Sequence, residues 1–252
     1  MASEPPQLTP AGRFELLAYH FAETLSDTVQ SVAGESCRRF SAVVTLDPPD
    51  AYVSQDERAG IPLTRAGITI LRLEVTIKLT LDHSGEFLRV QKSQMRVYPE
   101  GGSLPVFRYE YEEAKESGPL PAAHFQVHGR HPDLEGLMSA AGRLKSRSSG
   151  GSGIPNVADL HFPVGGTRFR PCLEDVLEML IQEFRVDPLP DKETALLALA
   201  AGRQDWRERQ LRTSIRDNPA VAVDQVRRLG YSVGWEKDDP EPGRRDEHIR
   251  SL

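Results

Sequence analysis

Residues 67–82 read GITILRLEVTIKLTLD, and this stretch decides the fold. Leu71, Leu73, Val75, Ile77, Leu79 and Leu81 occupy every second position, with Arg72, Glu74, Thr76, Lys78 and Thr80 between them. A period of two belongs to an extended strand whose successive side chains point to opposite faces. One face therefore lies on a core and the other meets water, which is the habit of antiparallel sheets. Asp82-His83-Ser84-Gly85 supplies turn chemistry, and FLRVQKSQMRVY (87–98) follows, so the two segments form a long hairpin.

Working outward in both directions extends the sheet. VFRYEYEE (106–113) sets Phe107, Tyr109 and Tyr111 against Arg108 and Glu110, and reads as a third strand of a meander. AHFQVHG (123–129) and ADLHFPV (158–164) read as two more, and FSAVVTL (40–46) as one before the hairpin. The fold class is α+β, a mostly antiparallel sheet of about six strands.

Helices flank the sheet. Thr9 is a natural N-cap with Pro10 behind it, and Phe14, Leu17, Phe21, Leu25, Val29 and Val32 recur at spacings of three and four up to Gly34. This amphipathic helix covers the apolar face. A second helix follows the last strand, starting at Pro171, with Glu174 and Asp175 in its first turn and a stripe of Leu173, Val176, Leu177, Leu180, Ile181 and Phe184. The breakers in RVDPLPDKET (185–194) divide the chain into a main domain over 9–186 and a helical appendage over 187–235, followed by a charged, disordered tail over 236–252. Three short helices follow in the appendage: one capped by Asp191 and running to Gly202, a second from about Gln204 to Arg216, and a third from Asn218-Pro219 to Gly230. Between the two histidine-bearing strands, a short helix begins at Asp133, and the low-complexity run SRSSGGSG (146–153) reads as a mobile loop, more often a tolerated insertion than a lid.

Composition narrows the function. With 38% hydrophobic and 27% charged residues the chain is an ordinary globular protein, and its N-terminus lacks the basic and apolar regions of a secretory signal. Cytoplasmic residence is the default, and no apolar run is long enough for a membrane span. Cys37 and Cys172 stand in no metal-ligand spacing, and suit reduced thiols. The net charge of −6 hides a basic window: residues 123–172 carry a net +3 and hold four of the seven histidines. Sequence-specific DNA binding is disfavoured by that overall charge, although local anion binding is not. Residues 191–231 carry only +2, too little for a DNA-reading helix-turn-helix.

The basic window contains the candidate site. HFQVHGRHPD (124–133) places three histidines within eight positions, and His161 follows on the next strand. In a strand, His124 and His128 share a face but stand about 13 Å apart, too far for one zinc ion. No cysteine or carboxylate completes a metal set, and no cofactor motif or nucleophile elbow is present, so neither metal nor cofactor is expected. A metal-free reading gives His124, His128 and His161 acid/base roles, lets Arg168 and Arg170 bind an anion beside the helix N-terminus near Pro171, and makes Tyr109 a base-stacking platform. Against it stands a structural reading: hydrogen-bonded histidines on a polar sheet face, Arg170 paired with Glu174, Arg168 solvated, and Cys172 a buried apolar side chain. The order of an Arg108-Tyr109-Glu110-Tyr111 strand, histidine-bearing strands and an apolar helix resembles the small toxin domains of bacterial toxin and antitoxin pairs. That resemblance transfers no role to any residue and only raises the ribonuclease reading. The residues themselves favour an intracellular interaction or regulatory protein whose partner is another protein, with a metal-independent RNA-cleaving or RNA-binding protein as the alternative.

Overall fold

A computed structural model describes residues 9–55, 60–113, 121–140, 157–236 and 243–245. The first helix, α1 (Pro10–Ala33), is started by Thr9, whose hydroxyl accepts from the Gly12 amide at 3.2 Å. It ends at Gly34, where φ is +82° and the side chain of Leu189 lies where a Cβ would sit.

Eight strands follow: β1 (Ser41–Leu46), β2 (Pro49–Ser54), β3 (Ile61–Arg65), β4 (Ile68–Leu81), β5 (Leu88–Pro99), β6 (Phe107–Glu112), β7 (Ala123–Val127) and β8 (Phe162–Pro163). They form one antiparallel sheet in the order β1-β2-β4-β5-β6-β7-β8. The length of β4 explains the remaining strand, because its first half pairs with β3 and its second half with β2. The expected fold class is the observed one, with two strands more than the pattern reveals. β2 and β3 read as loop in the sequence, since Pro49, Asp50 and Pro62 interrupt runs too short to show a period. Their alternation appears only as burial of Ala51, Val53, Ile61 and Leu63.

The core lies between the apolar sheet face and the helices. Phe14, Ala18, Val29 and Val32 of α1 meet Leu71, Leu73, Leu79 and Val97 of the sheet. They also meet Val176, Leu177, Leu180 and Ile181 of α4 (Leu173–Glu183). α4 starts two residues after Pro171 because Cys172 is its N-cap, and Asp175 reaches back to the Cys172 amide at 3.1 Å. It is preceded by the one-turn α3 (Gly166–Phe169). A short α2 (Pro132–Ala140) confirms the helix expected from Asp133. The glycine- and serine-rich run after it lies outside the described residues, as does most of the charged tail.

The segment read as three short helices is two: α5 (Lys192–Asp217) and α6 (Pro219–Arg228). Gly202 does not break α5, because the helix lies against α4 there. A Cβ at Gly202 would stand 2.8 Å from a carboxylate oxygen of Glu174. The N-terminal half of α5 joins the main core through Ala195 and Leu199, and Arg203 ties it to Asp175 at 2.7 Å and to Glu178.

Candidate polar site on the sheet face opposite α1

Register places the histidines. Phe107, Tyr109 and Tyr111 of β6 face the helices, so Arg108 and Glu110 point the other way. Glu110 stands opposite His124, and Arg108 opposite Gln126, across the β6–β7 pair. On the other side Gln94 faces Glu110 and Arg96 faces Arg108, while Glu74 faces Arg96. The result is a polar ladder across four strands. Arg96 reaches Glu74 at 3.3 Å and Gln94 at 2.8 Å, and Gln94 donates to Glu110 at 3.1 Å. Tyr98 donates to Glu74 at 3.1 Å.

The ladder ends at two imidazoles whose ring centroids are 4.7 Å apart, those of His124 and His161. Gln126 organises this end. Its carbonyl oxygen accepts from Arg108 Nε at 2.6 Å, and its amide nitrogen reaches the Ala158 carbonyl at 3.0 Å and His161 Nε2 at 2.8 Å. A carbonyl oxygen only accepts, so the contact of His161 Nδ1 with the Asp159 carbonyl at 3.1 Å puts a proton on Nδ1. His161 Nε2 is then the acceptor for Gln126, and every polar atom of the Gln126 side chain is used. The same reasoning puts a proton on His124 Nδ1, which meets the Pro121 carbonyl at 3.0 Å. Its Nε2 lies 3.3 Å from Glu110 Oε2.

Both His124 and Gln126 are sealed, at 0% and 1% exposure. Burial opposes ionisation of Glu110, but the close approach of the His124 ring and the charges of Arg108 and Arg96 outweigh it, holding the carboxyl down at about 2. His128 shares their face one strand position pair further on, with its Nε2 buried and lacking a hydrogen-bond partner. Burial and the Arg108 charge push its pKa down, against a smaller pull from Glu110. His131 has a different task at the start of α2. Its ring accepts from the Leu134 amide at 3.4 Å, and its backbone amide donates to the Glu135 carboxylate at 3.3 Å.

The other expected site residues lie elsewhere. Arg168 is bound to Asp217 at the end of α5, with Nε and Nη2 at 2.9 and 2.6 Å from one oxygen. Arg170 stands on the helix side of the sheet, its guanidinium 3.8 Å from the Tyr111 ring centroid and 5.2 Å from that of Trp206, and it donates to the Thr167 carbonyl. Tyr109 also faces the helices, packed on Phe125 at 4.7 Å. Burial, with a smaller effect of the Asp175 charge, raises its pKa. The structure thus brings His124 and His161 together, keeps His128 on their face, and separates Arg170 and Tyr109 from them by the thickness of the sheet. One pocket containing all six does not form.

Arg108, Glu110 and Gln126 are the residues that sequence reasoning misses. Their signal is present in the alternation of VFRYEYEE, where the residues between aromatics read as solvated. Cys172 is buried, with its thiol 3.2 Å from Asp175 Oδ2, and burial together with the Glu174 charge pushes its pKa well up, so it is no ready nucleophile. Among the described residues no cluster of histidine, cysteine and carboxylate side chains is placed to hold a metal ion, and no helix is long and apolar enough to cross a membrane. Compared with protein families, characterised proteins and solved structures, the chain gives no significant match.

Proposed function

We propose that this is an interaction or regulatory protein that docks another protein through its helical C-terminal end. One observation carries the reading: α6 is an amphipathic helix with no buried residue, and it lies in a run of exposed apolar side chains comprising Leu211, Ile215, Val221, Leu229, Tyr231 and Trp235. Leu229 is 65% exposed. Large apolar side chains gathered at one end of a chain mark a protein-binding surface more often than a solvated one. The polar ladder supports the same reading from the other direction, since Arg96, Arg108, His161 and the Nδ1 of His124 are engaged with the protein itself. A photo-crosslinking residue at Ile215 or Leu229, introduced in the source cells, is expected to give one discrete protein adduct, and the same residue at the exposed Leu104 none. Equal labelling at all three positions would contradict the reading.

A second reading rests on the 4.7 Å approach of His124 and His161 beside Arg108, which is the kind of grouping that cleaves or binds RNA without metal. Its test is incubation of the purified protein with labelled RNA, with and without chelator. Chelator-resistant cleavage that His161→Ala abolishes supports it, whereas intact RNA rejects it.

A further inference from the structure

We propose that β1 is a self-association edge, through which two copies pair antiparallel about a two-fold axis at Val43. The argument begins with the free edges of the sheet. An edge strand turns the N–H and C=O groups of alternate residues outward, and proteins blunt such edges with proline, charge, brevity or a covering segment. Three strands have an outer edge among the described residues. β3 carries Pro62 and Arg65, and residues 186–189 cover it: the Asp187 amide donates to the Thr64 carbonyl at 2.8 Å, and Asp187 Oδ2 accepts from the Ala66 amide at 2.6 Å. β8 is two residues long and contains Pro163. β1 has neither device. Its sequence SAVVTL holds no proline and no charge, and no described segment pairs with its outer side.

Four side chains of this edge meet solvent: Ser41 and Thr45 are small and polar, while Val43 and Leu46 are apolar. Val43 is 67% exposed and lies directly opposite Tyr52, itself 49% exposed, while Leu46 at the strand end is 48% exposed. A lone exposed valine needs no explanation, but a valine and tyrosine stacked beside an unpaired backbone edge form a continuous sticky margin.

Symmetry then restricts the registers to those in which one residue faces its own copy. In a sheet continued across a two-fold axis normal to it, facing residues lie on the same face, so the central residue faces itself. Centred on Val43, the pairing sets Ser41 against Thr45 and Arg39 against Asp47 of the second copy. Charges on the two flanks are therefore complementary, Arg39 on one side and Asp47 on the other, whereas Asp50 lies on β2 and is paired with Lys78 at 2.8 Å. Arg39 is already held at this edge by Asp27 at 2.9 Å and Gln30 at 3.0 Å. The flanking charges select antiparallel pairing with a second copy over pairing with a parallel one, which would oppose like charges. An edge of six residues buries little area, so the association is concentration-dependent.

Sedimentation equilibrium of the full chain at tens of micromolar tests this. The expected result is twice the chain mass, reduced to the single mass by Val43→Lys with an unchanged far-ultraviolet spectrum. Val43→Cys is expected to form a disulfide-linked dimer under mild oxidation, since the native Cys37 and Cys172 are buried. Arg39→Asp and Asp47→Arg each weaken the dimer several-fold, and the two together restore it. A chain that stays single at these concentrations, and whose Val43→Cys variant does not cross-link, overturns the proposal. So does a dimer that Val43→Lys leaves intact, or a Val43→Cys variant that links only to a different protein.

Discussion

At the scale of single residues, the polar ladder shows how a buried charge is kept. Glu110 is held by His124, Arg108 and Gln94, and its carboxyl titrates at about 2 instead of at the ordinary 4.5. A depressed folded-state pKa gives stability that is present above the unfolded value and lost as pH falls through the folded one. Stability should therefore decline between about pH 4.5 and pH 2, by on the order of 3 kcal/mol from this group. Urea unfolding at pH 6 and pH 3 checks it: Glu110→Gln should lower stability at pH 6 and flatten the decline. Gln126→Leu is the complementary change, because it keeps the volume and leaves Arg108 and His161 without their shared partner. Its expected cost is about 1–3 kcal/mol for each polar group left unpaired in the interior. A neutral result would mean that water takes over both bonds.

At the scale of elements, Asp175 does two jobs. It closes the capping box of α4 and receives Arg203 at 2.7 Å and Arg207 at 3.3 Å from α5. Burial works against its ionisation, but the Cys172 and Arg203 hydrogen bonds hold its pKa down. Asp175→Ala should therefore cost more than a lost cap alone, which is typically about 0.5–2 kcal/mol, and loosen α5 with it. Amide exchange reads both effects. In the native chain the half of α5 that buries Ala195 and Leu199 should exchange slowest, the half beyond Gly202 faster, and α6 fastest, because exposure without burial leaves little to oppose opening. The elements also show what the sequence can reveal. β4 and β5 are legible because their alternation runs for a dozen residues or more, and α1 and α4 because caps and apolar stripes agree. β2 and β3 are not, since a strand of five or six residues containing proline has no period of its own and exists by pairing with β4. The break expected at Gly202 fails for a related reason: glycine weakens an isolated helix, but here its bareness allows close approach to Glu174.

At the scale of the whole molecule, sheet geometry separates residues that the sequence places together. Tyr111 and Glu110 are neighbours in the chain and lie on opposite faces, so Arg170, stacked on Tyr111, and His124, beside Glu110, cannot share a pocket. Spacing along the chain makes the histidine cluster visible and tells nothing of which arginines join it; the arginine that does, Arg108, arrives by cross-strand register. A core change should be felt throughout the packed interior: Leu177→Ala, at the junction of α4 with α1 and the sheet, is expected to lose about 2–5 kcal/mol in chemical denaturation. The central claim is that the histidines support the fold while contacts with a partner are made by the helical end. The most direct measurement carries the photo-crosslinker at Val221 in the source cells and compares the adduct formed by His161→Ala with that formed by the double variant Ile215→Asp, Leu229→Asp, alongside the melting temperature of each. The account predicts that the double variant loses the adduct and keeps its melting temperature, while His161→Ala melts lower and keeps the adduct. The reverse pattern, an adduct lost with His161 and indifferent to Ile215 and Leu229, would contradict it.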